Sequence, residues 1–181
     1  MGMNFEELDA VTRRWMQVEF DDEESGGSAY RGKGLSPTGK AAFPGLMQAA
    51  IREGDEETLS DALMNATYWE PTEQYVRNRV VRDRQVNVRQ AAERLSLTEF
   101  NTWYVRGLAR RLMDEGVTNC QAYRAAAPKW EPAECSQHEG QIYEVRVIYV
   151  GHRVRYWPEP GTSAISIPYG PGCHHTIRRV R

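Results

Sequence analysis

The chain has few of the features that mark specialised protein classes. Three cysteines in 181 residues are odd in number and too few for a secreted disulfide framework, and they fit a reducing compartment. No apolar run approaches the roughly 20 residues that a bilayer span needs. The acidic start lacks the apolar segment of a signal peptide, so a cytosolic product is expected. There is no internal repeat, no Walker loop, no G-x-G-x-x-G and no G-x-S-x-G. A net charge of only −2 argues against a chain that coats nucleic acid by bulk electrostatics.

Five Trp and nine Tyr, with 40% hydrophobic residues, are enough for a core. A mean hydropathy of −0.66 implies a well-charged surface. That charge is unevenly placed. Glu6, Glu7, Asp9, Glu19, Asp21, Asp22, Glu23 and Glu24 face only Arg13 and Arg14 in the first 24 residues. Six arginines, Arg77, Arg79, Arg82, Arg84, Arg89 and Arg94, follow in one stretch, and the chain closes on Arg178-Arg179-Val180-Arg181. Such polarity steers a partner or simply solvates a face.

The pattern reads as α+β, with a helical first two-thirds and a small C-terminal sheet. Asn4 with Glu7 has the form of a helix cap, with Phe5, Leu8, Thr12, Trp15 and Met16 on one face. The acidic, Gly/Ser-rich run after it reads as a linker, which would tether this helix for docking to another subunit. A helix packed on its own domain is the alternative. Helices are expected over 45–52 and 56–67, the second capped by Asp55 with Leu59, Ala62, Leu63 and Ala66 buried. Another is expected from Thr72 through the arginine stretch. The strongest runs over 98–115, capped by Thr98, with Phe100, Tyr104, Leu108 and Leu112 at i+4 spacing and Gly116 as the stop. Strands are expected over 117–123, 142–150, 164–167 and 176–180. This divides the chain into a helix and linker (1–35), a helical region (36–97) and an α+β module (98–181).

Two Cys–His pairs carry the most specific chemistry. Cys135 and His138 have zinc-knuckle spacing, and Cys173 and His175 form C-x-H, whose alternate side chains share one side of an extended segment. Together they are expected to hold a structural zinc ion, with His174 as the competing fourth ligand. A Cys135–Cys173 disulfide, or cysteines that are merely buried, are the alternatives, and Cys120 reads as core. Enzymatic templates fail: His138-Glu139 is not followed by the second His of H-E-x-x-H, and no H-x-E precedes Cys135 as a zinc deaminase needs. A Cys–His nucleophile pair, without a third orienting residue, is the remaining catalytic alternative.

Residues 88–100 resemble the start of a helix-turn-helix and, with the six arginines, suggest DNA contact through helices in 72–115. The recognition helix is poor: Thr102 stands where Val or Ile should pack, and Glu99, Asn101 and Trp103 would have to face the DNA. A packed helical hairpin is the simpler reading, its arginines meeting an acidic neighbour or the phosphates of packaged DNA.

From Asn101 onward the order of features resembles the MuF-like minor head (head-morphogenesis) proteins of tailed bacteriophages. A helix leads into Gly116-Val117. A loop with Trp130 precedes Cys135-Ser136-Gln137-His138-Glu139-Gly140, and a closing segment runs Pro168-Tyr169-Gly170-Pro171-Gly172-Cys173-His174-His175. On that match Cys173 and His175 take the places of the family's two closing cysteines, His174 takes that of its Arg, and Gly170 replaces its His. The resemblance covers under half of the chain. It implies a non-enzymatic virion component near the portal, acting in head assembly or DNA delivery. Such a protein is expected to oligomerise, to meet portal, capsid or connector proteins, and to occur in the virion or host cytoplasm.

Overall fold

The computed structural model describes residues 2–27, 29–127, 135–153, 165–170 and 172–180, excluding the side chains of Arg77 and Cys135. It has the expected α+β class, organised around one long helix. That helix, α4 (Val88–Asp114), is capped by the Asn87 side chain, which accepts from the Gln90 N–H. Phe100, Tyr104, Leu108 and Leu112 are all buried, and Gly116 ends the helical segment at φ +72°.

Thr98 is not a cap. Its hydroxyl donates back to the Arg94 carbonyl at 2.8 Å, Thr102 repeats the bond to Thr98 at 2.7 Å, and no Gly or Pro interrupts residues 88–106. The helix therefore passes straight through the position where a helix-turn-helix would bend. Glu99, Asn101 and Trp103, the residues meant to face DNA, are buried.

Helix α1 (Ala10–Ser25) starts at Asp9, whose carboxylate accepts from the Val11 and Thr12 N–H groups. Asn4 does not cap it, because its N–H donates to the Ala125 carbonyl and holds the N-terminal segment against the sheet. The helix also takes in the acidic run read as linker. Met16 and Phe20 are fully buried, so it is a core helix and not a tethered one. Its approach to α4 depends on Gly107, where a Cβ would stand 2.5 Å from Cγ and 2.6 Å from the backbone N of Met16.

Helix α2 (Pro37–Glu53) begins earlier than expected, capped by Ser36 with Pro37 in its first turn. Helix α3 (Glu56–Ala62) has the expected Asp55 cap, in a reciprocal box with Thr58. It stops at Ala62 and gives way to a 3-10 turn, Ala66–Tyr68, so Leu59 and Leu63 are buried while Ala62 and Ala66 are exposed.

The stretch from Thr72 is a hairpin, β1 (Thr72–Arg77) and β2 (Val80–Gln85), not a helix. A second antiparallel sheet has the order β4 (Ile142–Glu144), β3 (Asn119–Arg124), β5 (His175–Arg179). Only residues 142–144 of the expected 142–150 strand are extended. Val145–Val150 form helix α5, with Val145 and Ile148, three apart, buried on one face. Residues 165–167 form no strand, and Ala164 lies outside the described residues. One buried cluster joins Met16, Phe43, Leu59, Tyr104 and Ile177, so α1, α2, α3, α4 and β5 share a core. Among the described residues no helix is long and apolar enough to cross a membrane.

Candidate functional site

Among the described residues, the hairpin is the one sheet with neither face in the core. Asn78 and Arg79 turn the chain with φ of +52° and +63°, the two left-handed positions of a two-residue primed turn. Alternation then sorts the side chains. Directly paired residues share a face, so Glu73/Arg84 and Tyr75/Arg82 lie on one side with Val80, and Thr72/Gln85, Gln74/Asp83 and Val76/Val81 on the other. The first side is basic. Arg84 donates to Glu73 at 2.8 Å and stacks over Tyr75 at 5.2 Å, and Arg94 reaches Glu73 at 3.8 Å. The second side is polar with an apolar tip, Val76 being 69% and Val81 60% exposed.

The six arginines thus do not share a helical face. Arg77 ends β1, Arg79 occupies the turn, Arg82 and Arg84 lie on β2, and Arg89 and Arg94 on the first turns of α4. Among the described residues, Arg79, Arg82 and Arg89 are exposed and make no ion pair.

Of the Cys–His constellation, Cys173 and His175 meet, His138 is engaged elsewhere, and the Cys135 side chain lies outside the described residues. Cys173, 1% exposed, places Sγ 3.8 Å from His175 Nδ1. Zn–S of about 2.3 Å and Zn–N of about 2.0–2.1 Å would set a tetrahedral edge close to that length. His138 opens no such edge: its Nδ1 bonds the Tyr143 hydroxyl at 2.7 Å and its ring lies against Tyr169, 5.0 Å between centroids. His175 Nε2 lies 3.8 Å from Glu139 Oε2. Burial, then the Arg124 charge, hold the His175 ring below its ordinary range. Among the described residues no three of His, Cys, Asp and Glu gather to hold a metal ion, so the donors described fit half of a zinc site. Cys173 and Cys120 are free thiols, and burial pushes the Cys120 thiol up to about 12. Trp130 and Pro171 lie outside the described residues.

A third cluster went unread in the sequence. Arg153, 3% exposed, forks onto Glu99 at 3.2 and 2.8 Å and reaches Glu23 at 3.1 Å, between the rings of Tyr30 and Trp103. His152 bonds Glu23 at 2.8 Å, and Arg106 bonds Glu19 at 2.6 Å beside the Tyr149 ring. Burial alone would raise the Glu23 carboxyl, yet His152 and Arg153 hold it below its ordinary value. Of these groups, Glu19, Glu23, Arg106, Tyr149 and His152 line a polar cleft of about 290 Å³. The cleft's cations are already matched by carboxylates, so the cluster acts as an internal clamp joining α1, α4 and α5. Its only sequence signal was Glu99, a carboxylate one residue before buried Phe100.

Comparison with known proteins finds no family model that matches the chain, no similar curated protein and no similar solved structure. Fold and site therefore define a class only: an α+β domain built on one central helix, with a projecting basic hairpin.

Proposed function

We propose that the protein is a non-enzymatic structural component of a tailed-bacteriophage head, attaching to its partners through the hairpin β1–β2. The observation that carries this reading is the arm itself. A two-stranded ribbon with neither face in a core is marginal in water and is best explained by a surface that covers it elsewhere. Val76 and Val81 supply apolar tips for portal, capsid or connector proteins, and the arginines supply charge. Two thiols speak for a non-catalytic role: Cys173 is sealed from solvent, and Cys120 is held protonated far above neutral pH. The virion setting rests on the resemblance carried by Gly116-Val117, Cys135–Gly140 and Pro168–His175. Oligomerisation belongs to the same reading, with the virion and host cytoplasm as its locations.

Zinc belongs to the proposal as a staple and not as chemistry. His175, at the start of β5, and Cys173, two residues before it, would hold it, and His138 would join them only by leaving the Tyr143 hydroxyl. Cys135 is the fourth ligand of the proposal. Nothing in the contact role depends on it. The head assignment is tested by expressing the chain with its neighbouring genes and analysing purified particles by mass spectrometry. The chain is expected in the particle fraction; confinement to the soluble fraction at every stage contradicts the assignment.

A further inference from the structure

We infer that the basic face of the arm lies along the phosphates of double-stranded DNA without reading its sequence. This rests on the arm being the contact surface proposed above and names what its basic side meets. The charge is local. Residues 72–94 hold six arginines against Glu73, Asp83 and Glu93, a net of +3 in a chain of net −2, which leaves −5 for everything else. The rest of the chain is net acidic, so the long-range field of a polyanion favours approach by this end. Arg84 is held in place by Glu73 and Tyr75. Arg79, Arg82 and Arg89 make no ion pair among the described residues and are exposed, as a phosphate contact requires.

Shape agrees with charge. A two-stranded ribbon fits the B-form major groove, roughly 12 Å wide, whereas the deep, narrow major groove of A-form RNA does not admit one. Alternate residues on a strand recur about every 6.8 Å, twice the ~3.4 Å axial rise per nucleotide of one DNA strand. The basic side offers arginine, one tyrosine, one valine and Glu73, whose carboxylate is taken by Arg84, and it lacks the Asn and Gln that pair with base edges; Gln74 and Gln85 sit on the opposite face. Binding that is electrostatic and indifferent to sequence follows.

The test is fluorescence anisotropy of the full chain with two labelled DNA duplexes of unrelated sequence, over a salt series. Both duplexes are expected to bind within about threefold of each other, and three phosphate contacts give a log–log salt slope near −2.7 at about 0.9 per phosphate. Arg79→Gln with Arg82→Gln should weaken binding at low salt by about tenfold or more and make the slope shallower by about 2. Val76→Ser with Val81→Ser should leave DNA affinity unchanged. Absence of wild-type binding at low salt, arginine variants that bind like wild type, or an RNA duplex bound as well as DNA would each overturn the inference. If the arm is needed for incorporation into particles while the wild-type chain binds no DNA, this inference fails and the head-contact reading stands.

Discussion

Val76 and Val81 face each other directly across the arm, two aliphatic side chains paired in the sheet register and both largely in solvent. Their burial in the core would contribute about 1.5–3 kcal/mol each, and the folded chain leaves that unused. On the proposed reading the pair is the apolar part of the attachment surface.

The arm should therefore be thermodynamically separate from the body. Amide exchange in β1 and β2 is expected to run far faster than in the buried span of α4, because the ribbon's hydrogen bonds are exposed on both faces. Val76→Ser with Val81→Ser should change stability by no more than about 0.5 kcal/mol. Arm amides protected as strongly as Leu108 would show that something in the folded chain covers the ribbon.

The internal clamp behaves oppositely. Arg153→Met strands the Glu99 carboxylate, 0% exposed, without its fork, and should cost about 3–5 kcal/mol in urea unfolding. Replacing both residues with Met should recover much of that loss. A single variant within about 1 kcal/mol of wild type would contradict a clamp.

How legible all this was depends on where packing overrode local preference. Helix α4 could be read because Phe100, Tyr104, Leu108 and Leu112 keep the helical period and Gly116 marks the stop. The arm was misread because Glu, Gln and Arg favour helices and its turn, Asn78-Arg79, lacks the usual glycine. Its β-branched and aromatic alternation was the signal that mattered. Val145–Val150 carries strand-forming residues, yet burial of Val145 and Ile148 against α4 selects a helix. At the Cys–His site, the C-x-H side of the constellation was readable from strand alternation, since Cys173 and His175 do meet. The Tyr143 hydroxyl that engages His138 comes from β4, in a pairing no local pattern announces.

Acid should destabilise the fold. Burial, aided by Arg153, holds His152 below its ordinary value of 6.5, and burial with Arg124 does the same for His175. Below about pH 6.5 the unfolded chain binds protons that the folded chain refuses, so stability present at neutral pH falls as pH drops. Glu23, depressed below its ordinary 4.5, extends the loss to lower pH. Glu56 works the other way: burial raises it, and its protonation returns part of the loss. Urea midpoints are expected to fall steadily from pH 7 to pH 4, and a midpoint that is flat or rising between pH 7 and pH 5 contradicts this balance.

Metal analysis decides the role of Cys173 and His175. The staple predicts about one zinc per purified chain and a Tm that drops on chelation. Metal-free protein whose Tm ignores chelator would leave the pair as a buried thiol–imidazole contact.

The central claim is that the arm makes the attachment, and one measurement reaches it directly: particle incorporation of Val76→Asp with Val81→Asp, expressed with the neighbouring genes. The account predicts a variant that melts like wild type and is missing from the particle fraction. A stable variant present there at the wild-type level would contradict it.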